Sequence, residues 1–173
     1  MAVKTASVAL DGPNLRFVAR SGSGHTIVID DGSGDTGPRP AELIPMALAA
    51  CTAMDVISIL RKKRQEVTRY EVQAEGLQTD DHPNAFTRID VVHVIDGPSL
   101  DVEAVRRAIE LSATKYCSVG ATLSSGITEI HHAYRVRDAD GLERSAEVLV
   151  LGPGADPVTV AAPDRAAALV PVG

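Results

Sequence analysis

The stretch Pro40-Ala-Glu-Leu-Ile-Pro-Met-Ala-Leu-Ala-Ala-Cys51-Thr-Ala-Met-Asp55-Val-Ile-Ser-Ile-Leu-Arg61-Lys-Lys-Arg64 decides how the rest of the chain is read. From Leu43 to Leu60 the only non-apolar side chains by type are Pro45, Thr52, Asp55 and Ser58. Ala, Leu and Met are strong helix formers, and Pro40 suits a first helical turn, where a missing N–H costs nothing. The pattern predicts a helix over 40–64, roughly 37 Å long if all of it is helical. Apolar residues run around its whole circumference, which describes either a membrane span or the buried axis of a globular unit. Glu42, Pro45 and Asp55 argue against a span, because a carboxylate at bilayer depth is costly. The basic run Arg61–Arg64 suits a helix C-terminus, where cations meet the negative end of the dipole.

The chain around this helix has 173 residues, the size of one ordinary domain. Aromatic residues make up 3% and Trp is absent, so the core must be built from aliphatic side chains. A net charge of −6 and a pI near 5.3 disfavour nucleic acid, whose phosphates need a basic patch. The first ten residues, MAVKTASVAL, lack the apolar core of a signal peptide, so a cytoplasmic location with reduced thiols is expected. Two cysteines are too few for a disulfide framework or an all-cysteine zinc site.

Upstream of the helix, the alternation Ala6, Val8, Leu10 predicts a strand. Asp11–Asn14 is a turn by composition, Leu15–Arg20 a returning strand and His25–Ile29 a third. The Gly-rich loop 30–39 leads into the helix without structure of its own. Downstream, Thr68, Tyr70, Val72 and Ala74 alternate with Arg69, Glu71, Gln73 and Glu75, the pattern of a half-buried strand. Ala85–Ile95 is its partner. Ser99 or Asp101 can cap a helix from Val102 to Tyr116, with Val102, Val105, Ile109 and Ala113 inward and Arg106, Arg107 and Glu110 outward. Ser118–Ser124 forms a short further helix, and Ile127–Val136 another strand. The expected class is α+β, with antiparallel sheets wrapped around a long central buried helix. Residues 1–137 form the domain. Residues 138–173 are read as a partly ordered or flexible extension, with one added strand at Ala146–Leu151.

Two residues stand out for chemistry. Cys51 lies midway along the central helix and Cys117 at the end of the second. A buried cysteine is ordinarily a small hydrophobe, but two nearby thiols can run a redox cycle in which an oxidised first thiol is captured by the second. Asp55 stands one turn beyond Cys51 on the same face, and a carboxylate there disfavours thiolate unless a cation offsets it. His25, His82, His93, His131 and His132 show no helical metal-ligand spacing and are read as structural or solvated. There is no phosphate-binding glycine loop and no nucleophile elbow, and neither metal nor cofactor is expected.

The run Pro40-Ala-Glu-Leu-(x7)-Ala-Cys51 opening a long helix resembles the OsmC/Ohr family, as does Lys115-Tyr-Cys117-Ser-Val-Gly before a strand. The resemblance covers residues 2–137 in element order. It implies an intertwined homodimer with its central helices between sheets and two active sites at the subunit boundary. It implies thiol peroxidase chemistry, with Cys51 attacking an organic hydroperoxide, Cys117 resolving the sulfenic acid as a disulfide, and an external dithiol restoring the enzyme. Family members with peroxidase sites resemble Pro-Glu at the helix start. Here that position is Ala41, and the available carboxylate is Glu42, nine positions before Cys51. For the family's activating arginine, Arg16 is the nearest candidate, followed by Arg20 and Arg39. The alternatives are a non-catalytic protein binding an apolar or sulfur-containing small molecule, motivated by Ala41 and Asp55, and a structural dimer with inert thiols.

Overall fold

The computed structural model describes residues 2–126, 129–137, 139–150 and 158–161. The chain divides into two compact units, Met1–Ile44 and Pro45–Gly173.

The first unit is an antiparallel meander of β1 (Ala6–Leu10), β2 (Phe17–Ser21) and β3 (Thr26–Ile29). Val8 pairs with Ala19, and Phe17 pairs with both Leu10 and Ile29. Gly24 turns the second hairpin at φ 89°, a backbone conformation that glycine adopts without steric cost. The loop that follows does have structure of its own, which corrects the sequence reading. Asp30 is buried, and its carboxylate accepts hydrogen bonds from the Asp31 and Thr36 N–H groups and from the Thr36 hydroxyl. Asp31 in turn accepts from the Ser33 and Gly34 N–H groups. Short acidic side chains thus organise a segment whose glycines suggested only flexibility. A single 3-10 turn, Pro40–Glu42, closes the unit.

The helix of the opening stretch, α1, runs Leu43–Lys62. Pro45 falls in its first turn, where the N–H has no intrahelical acceptor, and so it breaks nothing. Within the chain only one stripe is buried, made by Leu48, Thr52, Val56 and Leu60 at four-residue spacing. The remaining apolar circumference is more open, with Met46 54% and Met54 73% exposed. By length and composition Pro40–Lys62 could cross a bilayer, with a mean hydropathy of 2.0. Its buried stripe is nevertheless committed to a protein core, in which Val56 and Leu60 join Ile95, Val105 and Ile109.

The second unit's sheet has the order β4-β5-β6-β7-β8, formed by Arg69–Gln78, Phe86–Asp96, Glu129–Arg137, Glu143–Val150 and Val158–Ala161. Its pairs are antiparallel except β5–β6, which is parallel, a correction to an all-antiparallel reading. The reason is the helical crossover between those two strands, since parallel neighbours cannot be joined by a hairpin. That crossover holds α2 (Val102–Leu111), a π-helical turn (Ser112–Tyr116) and α3 (Ser118–Leu123). Asp101 caps α2 by accepting the Glu103 N–H at 3.0 Å. Glu110, expected outward, is only 3% exposed and pairs with Arg106 and Arg107 from its own helix. The two guanidiniums make its burial tolerable. Of the 138–173 extension, a turn at 139–140 leads into β7, β7 and β8 continue the sheet, and residues 138, 151–157 and 162–173 lie outside the described residues.

Candidate active site

The π-helical turn carries the consequence for chemistry. Its extra residue per turn is registered by the Cys117 N–H, which bonds the Ser112 carbonyl at 2.9 Å, five residues back. The turn ends with Cys117 as the N-cap of α3, where Cys117 Sγ accepts the Gly120 N–H at 3.2 Å. Gly120 is close-packed, and a Cβ built there would lie 3.4 Å from Cys117 Sγ and 3.6 Å from Leu48 of α1. In this way α3 is seated on α1 and its cysteine is brought to the one on α1. Cys51 Sγ, Cys117 Sγ and a carboxylate oxygen of Asp55 all lie within 4.8 Å of one another.

Both cysteines are free thiols, Cys117 buried and Cys51 half-buried. Burial pushes the Cys117 thiol up to about 12, helped by its hydrogen bond with Cys51 and by the nearby Asp55 charge, against the lowering by the Gly120 N–H. Cys117 is therefore a neutral thiol at physiological pH. Asp55 is held by the Ser112 hydroxyl, which lies 3.0 Å from Oδ2 and 3.1 Å from Thr52 Oγ1. The Ser112 hydroxyl is the donor in both contacts, and the carboxylate is the stronger acceptor of its one proton.

A string of polar rings crosses strands β4, β5 and β6, with Tyr70 half-buried and His93 and His132 buried. The Tyr70 hydroxyl sits 2.8 Å from His93 Nδ1, and His93 Nε2 lies 3.4 Å from His132 Nδ1, with the rings stacked. Asp55 acts on Tyr70 electrostatically, adding to the burial that raises the phenol. Burial also holds both imidazoles down, His93 well below its usual value and His132 at about 4, so the pair is neutral. Sequence reasoning treated the histidines singly and missed this string. The available signal was that Tyr70 and His93 belong to neighbouring strands that alternate inward and outward.

Glu42 and Arg16 have partners inside the first unit. Glu42 accepts the Arg39 N–H at 2.8 Å, as the carboxylate of a capping box, and pairs with the Arg39 guanidinium at 3.3 Å. Arg16 pairs with Asp11 and donates to Thr36 Oγ1 at 3.2 Å.

Comparison with known proteins bears on this arrangement. The sequence profile of the OsmC family, described as OsmC-like protein, matches residues 32–132. The chain belongs to the OsmC-like family. The matched region of this OsmC-like chain takes in both cysteines, Asp55 and the buried histidines. It is 43% identical over 122 residues to Protein YhfA of Escherichia coli K12, covering 70% of this chain and 90% of that protein. A hypothetical protein from Aquifex aeolicus shares the fold at 28% identity and a TM-score of 0.68, covering 79% of this chain and 97% of that one. The organic hydroperoxide resistance protein OhrB of Bacillus subtilis shares it at 20% identity and a TM-score of 0.51, covering 75% and 97%.

Proposed function

We propose that this OsmC-like protein is a cysteine-based thiol peroxidase that reduces organic hydroperoxides in oxidative-stress defence. The observation that carries this reading is the approach of Cys51 and Cys117 within 4.8 Å, with Cys51 the more accessible sulfur. In the cycle, the Cys51 thiolate attacks the outer oxygen of ROOH, the O–O bond breaks, and the alkoxide leaves and takes a proton as ROH. The resulting Cys51 sulfenic acid condenses with the Cys117 thiol, forming the S–S bond and releasing water. An external dithiol returns both cysteines to thiols by exchange. The buried, protonated Cys117 suits the resolving position better than the attacking one, because attack on peroxide needs thiolate. Catalytic roles for Glu42 and Arg16 enter only through the family resemblance. A cytoplasmic location, where reductants keep dithiols reduced, belongs to the same proposal.

A homodimer is also proposed. It is supported by exposed Met46 and Met54 on α1 and by the open apolar residues Val8, Leu10 and Ile27 of the first sheet. A monomeric mass in solution at micromolar concentration would remove it.

The test of the peroxidase is the thiol count and intact mass of reduced protein before and after one equivalent of cumene hydroperoxide. Loss of both thiols with a two-hydrogen mass drop supports it, and two unchanged thiols defeat it. The second reading, a binding protein, is favoured by Asp55 beside the thiols and by a largely apolar cleft of about 370 Å³ in the first unit. That cleft is lined by Leu15, Phe17, Ile29 and Pro40 on one part and by Asp30, Asp31, Gly32 and Arg39 on the other. Unchanged thiols together with saturable uptake of a small apolar probe would favour this reading instead.

A further inference from the structure

Two thiols and a carboxylate converge from elements far apart in sequence: Cys51 and Asp55 from consecutive turns of α1, and Cys117 from the cap of α3. We propose that Cys51 Sγ, Cys117 Sγ and the Asp55 carboxylate form a binding site for a thiophilic divalent cation of the zinc class, with solvent as the fourth ligand. This goes beyond the peroxidase reading and does not depend on it.

Geometry is the first support. Metal–sulfur bonds of about 2.3 Å and metal–oxygen bonds of about 2.0–2.2 Å at tetrahedral angles place donor atoms roughly 3.5–3.8 Å apart. The three donors already lie within 4.8 Å of one another, so closing on an ion takes about 1 Å of movement or less. Two are on the rigid scaffold of α1, and the third sits at a helix cap. The donor set is mostly soft sulfur, which selects zinc-like ions over magnesium or calcium.

The surroundings are the second support. Ligands in metal sites are oriented by hydrogen bonds from a further layer of residues. Here Ser112 holds Asp55 Oδ2 at 3.0 Å, and the Gly120 N–H holds Cys117 Sγ at 3.2 Å. Among the described residues no lysine or arginine forms an ion pair with Asp55. Among the described residues the hydrogen-bond partner given for the carboxylate is the Ser112 hydroxyl, and it stands beside the two thiols. A dication reverses the effect of that charge, because it pairs with Asp55 and deprotonates the coordinating thiols. Binding is M²⁺ + 2 RSH + RCOO⁻ → M(SR)₂(OOCR)⁻ + 2 H⁺, with no change of oxidation state. Affinity therefore rises with pH wherever a coordinating thiol is protonated in the free protein. A thiolate pair bound to metal cannot at the same time be a disulfide, so the ion and the oxidised state exclude each other.

The experiment is an anaerobic titration of the reduced, full-length, metal-free chain with Co²⁺, followed by displacement with Zn²⁺. Expected are one ion per chain, a thiolate-to-cobalt charge-transfer band in the near ultraviolet, proton release on binding Zn²⁺, and no competition from excess Mg²⁺. Zn²⁺ should also raise the melting temperature. Cys51→Ser and Asp55→Asn, checked for native circular dichroism, should each weaken binding at least tenfold. Absence of the band in fully reduced protein overturns the proposal, as does a band of unchanged strength and affinity in both variants. If hydroperoxide is consumed and no band appears, only the metal site fails. A band without consumption leaves the metal site standing and removes the peroxidase.

Discussion

The Ser112 hydroxyl holds Asp55 Oδ2 at 3.0 Å across 57 positions of sequence. One bond thereby ties the start of the π-helical turn to the central helix and orients the carboxylate at the two thiols. Ser112→Ala removes the donor from a fully buried position and leaves the Asp55 charge with nothing to satisfy it on that side. The expected cost is about 1.5–3 kcal/mol, the range for hydrogen bonds to charged groups, and urea denaturation measures it.

The two thiols should differ in reactivity. Cys117 is buried and held up to about 12, so iodoacetamide at neutral pH should label Cys51 first, with peptide mass mapping as the readout. Equal labelling would contradict the assignment of attacking and resolving roles. The same shift affects stability. Folding raises this thiol above its usual 9.0, so the unfolded chain loses its proton first. Stability from this group is whole below pH 9 and falls as pH rises toward 12, by about 1.4 kcal/mol per unit.

Asp55→Asn keeps an acceptor for Ser112 but removes the negative charge. In metal-free protein Cys117 should then become more reactive, by no more than about tenfold, because burial and the Cys51 contact outrank Asp55 in raising it. Stopped-flow alkylation of the parent and variant gives the ratio. A slower variant would show that the carboxylate assists the thiol.

The stacked histidines make the fold sensitive to acid. Both are neutral and buried in the folded chain but protonate near 6.5 once unfolded. The unfolded state therefore binds more protons, and stability is whole above pH 6.5. It falls with pH until the folded value is reached, which for His132 is about 4. Between pH 6.5 and 5 the His132 ring contributes a loss of about 1.5–2 kcal/mol, and His93 adds to it in the same direction. Denaturation midpoints across that range measure the loss. Proton NMR should show neither imidazole titrating above pH 6.

Ile109 is fully buried where α2 meets Val56 and Leu60 of α1. Ile109→Ala should cost about 2–5 kcal/mol by thermal or chemical denaturation, as expected for a cavity at a site hemmed in by two helices and a sheet.

Local periodicity made much of the fold legible. The apolar run of α1, the alternation along β4, the Asp101 cap and the short α3 depend on neighbours within a few residues, and the sequence displays those neighbours directly. The i, i+4 spacing of Cys51 and Asp55 belongs with them, since one turn of helix places both on one face. Other features were decided by contacts between distant segments. Strand β6 lies parallel to β5 because a helical crossover returns it to the same end of the sheet. Glu110 is buried because Arg106 and Arg107 neutralise it, although its position on the helix reads as outward. His93 and His132 pair only because their strands are neighbours. The sequence by itself determined that this chain has two cysteines on helical segments and a carboxylate one turn from the first. The meeting of Cys117 with that pair was decided only in the tertiary structure. It depends on the π-helical turn, the Gly120 contact with Leu48 and the Ser112 bond, which act through space between segments whose separation along the chain carries no distance.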